Sequence, residues 1–182
     1  STGIVDLPGG LSAVARPAPG KLKKGAMWGS IGVGSSVMEK FQAAKAAGFE
    51  GVEPNSHLDR NEVLKAREAT GLVIPSVCGS QHWKSPLSHP DPAVRAQGLE
   101  ALKLTLEDAK AYGADTVLLV PGRVTDTISY DQVWDRTTEE IKKMIPLAEQ
   151  LRIKIAIENV WNNFLLSPLE AARYVDQFNS DA

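Results

Sequence analysis

Short apolar runs alternate along this chain with longer stretches whose apolar positions fall three or four residues apart. Residues 25–29 predict a weak first strand, and the Gly-rich segment 29–35 that follows reads as a turn into a helix. Val37, Phe41, Ala44 and Ala47 then share one helical stripe, which Gly48 stops. Residues 49–53 predict a second strand that ends in Glu53 and is blocked by Pro54. Asp59, with Glu62 three positions on, opens a second helix that runs to Gly71. Residues 72–78 predict a third strand, in which Pro75 calls for a bulge or local irregularity.

A long polar loop over residues 79–90 carries His82, Trp83 and His89. Asp91 and Pro92 then start a third helix with Leu99, Leu102, Leu106 and Ala109 on its apolar stripe, and Gly113 ends it. Residues 115–120 predict a fourth strand. A fourth helix places Val133, Thr137, Ile141, Met144, Ala148 and Leu151 on one face, and Pro146 is expected to kink or split it. Lys154-Ile155-Ala156-Ile157 reads as a strand buried on two faces, and it stops at Glu158-Asn159-Val160-Trp161. Ser167, Pro168 and Glu170 combine a cap, a first-turn proline and a capping-box glutamate at the start of a fifth helix, expected to run to about residue 178.

A strand-then-helix unit repeated about five times predicts an α/β fold with a parallel sheet and right-handed crossovers. No composition shift divides it. Residues 1–23, with four Gly and three Pro, read as an irregular N-terminal arm, and residues 24–182 as one domain. Two architectures suit the alternation, an open doubly wound sheet or part of an eight-stranded barrel. The first is weakened by the missing nucleotide motifs, because the Gly-rich segment lacks both the Gly-Lys-Ser/Thr and the dinucleotide order. Glu53 and Glu158, at the C-terminal ends of strands two and five, favour the barrel, which puts its chemistry at that edge. Position alone does not separate a catalytic Glu158 from a rim salt bridge.

Composition narrows the classes. A 182-residue chain with 43% apolar and 23% charged residues suits one soluble domain, and a net charge of −2 argues against a general nucleic-acid surface. The single cysteine, Cys78, allows neither an internal disulfide nor a cysteine zinc cluster. No run approaches the ~20 apolar residues of a membrane span. The start at Ser1 without Met is read as processed or engineered; a cytoplasmic location is expected, with export after signal removal left open.

Three segments together resemble a known family. They are Gly48-Phe49-Glu50-Gly51-Val52-Glu53; Cys78-Gly79-Ser80-Gln81-His82 through Ser88-His89-Pro90-Asp91; and Ile157-Glu158-Asn159 followed by Phe164 and Ser167. Their order and spacing over residues 25–182 are similar to the N-terminal part of a xylose-isomerase-like TIM barrel, within the sugar-phosphate isomerases and epimerases, L-ribulose- and L-xylulose-5-phosphate 3-epimerases above all. The resemblance implies an incomplete (β/α)8 TIM barrel. It implies a divalent metal, Mn2+, Mg2+ or Zn2+, with Glu158 as metal ligand and acid/base. It implies a sugar or sugar-phosphate substrate contacted by Glu53, His82, Trp161 and Asn159.

The family's remaining ligands, an Asp, a His and a second Glu, would come from strands six to eight, and Asp181 stands at most at the threshold of strand six. The expectation is therefore a fragment of a longer enzyme, inactive by itself, or a homo-oligomer in which two copies close the sheet. An endonuclease IV-like phosphodiesterase and a non-catalytic carbohydrate-binding remnant are the competing readings. His57 is left undecided and His89 is assigned to the surface.

Overall fold

A computed structural model describes residues 22–182, so most of the arm expected at residues 1–23 lies outside the described residues. Among the described residues, five strands alternate with five helices in chain order. They are β1 Gly25–Met27, α1 Val37–Ala46, β2 Gly51–Glu53, α2 Arg60–Thr70, β3 Ser76–Cys78, α3 Pro92–Tyr112, β4 Thr116–Leu119, α4 Tyr130–Leu151, β5 Lys154–Ile157 and α5 Pro168–Asp176. A single 3-10 turn, Trp28–Ser30, follows β1. All pairings between strands are parallel and sequential, so the sheet is one wall of the barrel that the alternation predicts.

Local chemistry fixes the helix ends. Ser36 caps α1 in a reciprocal box with Glu39, whose carboxylate also accepts the Ser35 amide and hydroxyl. Those hydrogen bonds hold Glu39 down at about 2. The turn before it needs Gly34, which has φ +87 and whose added Cβ would lie 2.9 Å from Glu39 Cβ. Gly71 and Gly113 end α2 and α3 in left-handed caps, as their positions predicted.

Strand alternation then sorts the two faces of the sheet. Val52, Val77 and Val117, each fully buried, point outward beneath the helices and meet Phe41, Val63, Leu106 and Val133. Glu53, Ser76, Cys78, Thr116 and Leu118 occupy the alternate positions on the inner face and are only half-buried. Pro75 has the effect that its position predicted. Bridges at Gly51↔Val73 and Asn55↔Cys78 leave four steps on one strand against five on the other, a one-residue bulge that divides the β1-β2 and β3-β4-β5 ladders.

Two expectations are corrected. Strand β5 is not buried on both faces: Lys154 and Ala156 are exposed, and Ile155 and Ile157 are half-buried. It is the edge strand of the described sheet, with no strand beyond it among the described residues, and its outer-face Ile155 and Ile157 are covered only in part. Pro146 does not split α4, which runs continuously from Tyr130 to Leu151. The proline forfeits only its own bond to the carbonyl one turn earlier, and the buried face on either side of it holds the helix together.

The loop after β2 is set by a buried carboxylate. Asp108, 1% exposed near the C-terminal end of α3, accepts Arg60 Nε at 2.6 Å and the His57 amide at 3.0 Å. The second bond pins His57 at φ +68, a conformation that a non-glycine residue adopts only under constraint. Removing one partner of a fully buried ion pair costs roughly 3–5 kcal/mol. Because the Arg60 side chain is 40% exposed, Asp108→Ala is expected to cost less, about 2 kcal/mol in urea unfolding. Lys103→Ala, which breaks an exposed 3.8 Å pair with Glu100, is expected to change stability by under ~0.5 kcal/mol. Equal effects in the two variants would disprove the anchoring role of Asp108.

Candidate active site

Parallel strands deliver their C-terminal ends to one edge, and there β2 presents Glu53, β3 Cys78 and β5 Glu158. Glu53 is half-buried and its Oε1 accepts Ser76 Oγ at 2.6 Å, from the neighbouring strand. Burial pushes the Cys78 thiol up to about 11, with help from the negative charges of Glu53 and Glu158. The thiol is thus a neutral group at ordinary pH, and both carboxylates bear on it. This is the grouping that the structure makes out of the sequence candidates.

Glu158 extends β5 by one ladder bond, its amide donating to the Leu119 carbonyl at 3.0 Å. Its side chain is exposed and no described side chain hydrogen-bonds it. Asn159 beside it is exposed and makes no bond to it. Trp161, at 105% relative exposure, holds its indole entirely in water. Trp28, in the 3-10 turn after β1, is half-buried against Phe41 with the Lys40 ammonium 5.0 Å from its ring centre.

His82 lies elsewhere. Its ring meets Trp83 edge-on at 5.4 Å, and it lines a small cavity with Leu102 and Thr105 of α3 and with Leu119. Nδ1 is sealed there without a hydrogen-bond partner. Burial drives the imidazole down to about 4, so it is neutral across the physiological range. His57 is exposed, with Nδ1 2.8 Å from Ser56 Oγ. His89 Nδ1 accepts the Asp91 amide at the start of α3, a local structural role.

The divalent ion that the resemblance implies does not fit the described residues, among which no three His, Cys, Asp or Glu side chains form a ligand group. Glu158 stands there as a single carboxylate.

Sequence reasoning missed Asn162. It is 3% exposed, its Nδ2 donates to the Gly122 carbonyl at 2.7 Å, and its Oδ1 accepts the Phe164 amide at 3.3 Å. The available signal was the Asn162-Asn163 pair just beyond a strand-terminal Glu. Asparagine both bonds backbone groups and tolerates the left-handed φ of 57 found at Asn163.

The depressed His82 gives a pH dependence with a definite sign. The unfolded imidazole titrates near 6.5, so between about 6.5 and 4 the unfolded chain binds the extra proton. Stability from neutral His82 is therefore complete above about 6.5 and drains as pH falls toward 4. Urea midpoints are expected to fall more steeply over that window for the wild type than for His82→Gln. Parallel profiles would overturn the assignment.

A family model for the xylose isomerase-like TIM barrel matches residues 41–182. L-ribulose-5-phosphate 3-epimerase UlaE of Escherichia coli O1:K1 is 28% identical over 164 residues, which cover 83% of this chain and 58% of that protein. The chain therefore spans less than two thirds of the length of this curated relative. Among solved structures, 3-keto-D-glucoside 4-epimerase YcjR from E. coli superposes with a TM-score of 0.78 at 20% identity, covering 87% of this chain and 65% of that one. D-psicose 3-epimerase from Clostridium cellulolyticum H10 does so with a TM-score of 0.71 at 17% identity, covering 88% and 61%. At such identities the superpositions establish the barrel architecture, and with the family match they make this chain a member of the xylose isomerase-like TIM barrel family.

Proposed function

We propose that this chain supplies the first part of a sugar epimerase or isomerase site, in which Glu158 is the base that takes the proton beside a ketose carbonyl. The observation that carries the reading is the pair of carboxylates, Glu53 and Glu158, that end β2 and β5 on one edge and both bear on Cys78. The epimerase names among the relatives support the same class of reaction.

The chemistry asks for these groups. A C–H next to a carbonyl gives up its proton to a base within hydrogen-bond reach, and an exposed carboxylate on a strand end meets that need without a large rearrangement. Glu53, steadied by Ser76, would accept a sugar hydroxyl, and Asn159 would contact a second one. Trp161 would lie against the apolar face of the sugar. Neutral His82 would act at one remove, through its edge-on contact with Trp83 in the loop after β3. A Lewis acid on the enediolate oxygens requires about three protein ligands, so proton transfer by the carboxylates is the part of the reaction assigned to these residues. The proposed substrate is a free or phosphorylated ketose.

Purified protein incubated in D2O with ketopentoses, ketohexoses and their phosphates is expected to exchange the proton beside the carbonyl, read by NMR. Glu158→Gln is expected to slow exchange by about 10²–10⁴-fold, the usual worth of a general base. Glu53→Gln is expected to raise KM more than it lowers kcat. Exchange at the wild-type rate in Glu158→Gln would sink the proposal, and the substrate panel reports whether a phosphate is required.

A further inference from the structure

The direction in which β5 presents Glu158 is not set by the side chain's own contacts, since no described side chain bonds it. It is set by the backbone on either side. Before it stands the ladder bond to Leu119; after it, the first fixed point is Asn162. That residue bonds the neighbouring β4 loop twice, Nδ2 donating to Gly122 O at 2.7 Å and its own carbonyl accepting the Val124 amide at 2.9 Å. Residues 159–161 are thus a short bridge whose two ends rest on the same neighbouring strand and loop.

The β4 loop is itself held from the other side. Ser88 Oγ, on the fully buried Ser88 of the loop after β3, accepts the Arg123 amide at 3.2 Å. Ser88 packs so tightly on Gly122 that a Cβ there would come within 2.6 Å of Ser88 Cβ. The loops after β3, β4 and β5 are therefore one hydrogen-bonded unit. Beyond Asn162 the chain is strained, with Asn163 at φ 57 and Leu165 at φ 55, and a bulky residue such as leucine avoids that region. The strain is held by burial: Leu165 is 1% exposed, and Phe164 packs between Tyr130 at 5.0 Å and Tyr174 at 5.3 Å.

We propose that Asn162 is the positioning residue of this site, its amide bond to the Gly122 carbonyl fixing the direction in which β5 presents Glu158 and Trp161. The inference rests on the catalytic reading of Glu158 for its consequence in turnover, but not for the rigidity of the loop. Asn162→Asp separates the roles within one side chain. It keeps an acceptor for the Phe164 amide and replaces the donor with an oxygen that faces the Gly122 carbonyl. Ser88→Ala loosens the same unit from its far side and serves where the first variant does not fold.

Backbone 15N relaxation is the first measurement. In either variant the amides of residues 158–164 are expected to gain motion or exchange broadening while those of Val77 and Val117 stay as in the wild type. Exchange kinetics with the ketose found active are the second. A misplaced base is expected to lower kcat about 10–100-fold with KM changed by less than about threefold. Loop amides as rigid as the wild type, or broadening spread evenly through the core, would overturn the proposal. So would an unchanged kcat in a folded variant with a mobile loop. If the wild type turns over no ketose, the reading of Glu158 fails while the relaxation data still decide the role of Asn162.

Discussion

The constraint that orders the described residues is that their helices cover one face of the sheet only. With strands of three or four residues, the two-residue alternation leaves each strand one or two positions for the helix side and the others for the inside. Val52, Val77 and Val117 take the helix side and are sealed completely. At roughly 1.5–3 kcal/mol for each buried aliphatic side chain, that row and the helix residues beneath it set the register. A one-residue slip would bury Glu53 and Cys78 under the helices and turn the valines inward. The polar inner face is thus a consequence of core packing as much as of function.

Features governed by neighbours in sequence were legible in the chain. The caps at Asp59, Asp91 and Ser167, the glycine stops at Gly71 and Gly113, and the bulge forced by Pro75 all depend on residues within a few positions. What was not legible depends on which surfaces meet. Periodicity marked Ile155 and Ile157 as strand residues, but it could not say that β5 is the edge strand of the described sheet. Pro146 was weighed by its missing amide, whereas α4 answers to its packing over twenty-two residues. The cavity that the His82 ring shares with α3 is likewise a contact that no local pattern announces. Asn162 escaped notice because its partners, Gly122 and Val124, lie about forty residues away.

The same distinction separates two kinds of polar residue. Asp108 and Asn162 are almost fully buried, and each is matched to backbone groups of a loop that leaves the site edge. A buried polar group left unpaired costs more than an ordinary hydrogen bond returns, so such residues dictate loop shape rather than follow it. Glu158, Asn159 and Trp161 are exposed and dictate nothing about the fold. Division of labour of this kind lets the exposed residues be chosen for chemistry alone.

It also sets what a ligand must contribute. A carboxylate in water spends much of its basicity on its own hydration, and a carbon acid is a poor competitor for it. Glu158 stands in water among the described residues, next to an indole that is wholly solvated. Under the proposed reading, a sugar laid on Trp161 would displace water from both at once, so the act of binding would activate the proposed base. This works only if indole and carboxylate keep a fixed relation before the ligand arrives, because the two residues between them, were they flexible, would return the gain as lost entropy. The bridge from Leu119 to Gly122, closed at one end by the strand ladder and at the other by Asn162, is what makes that relation a property of the fold.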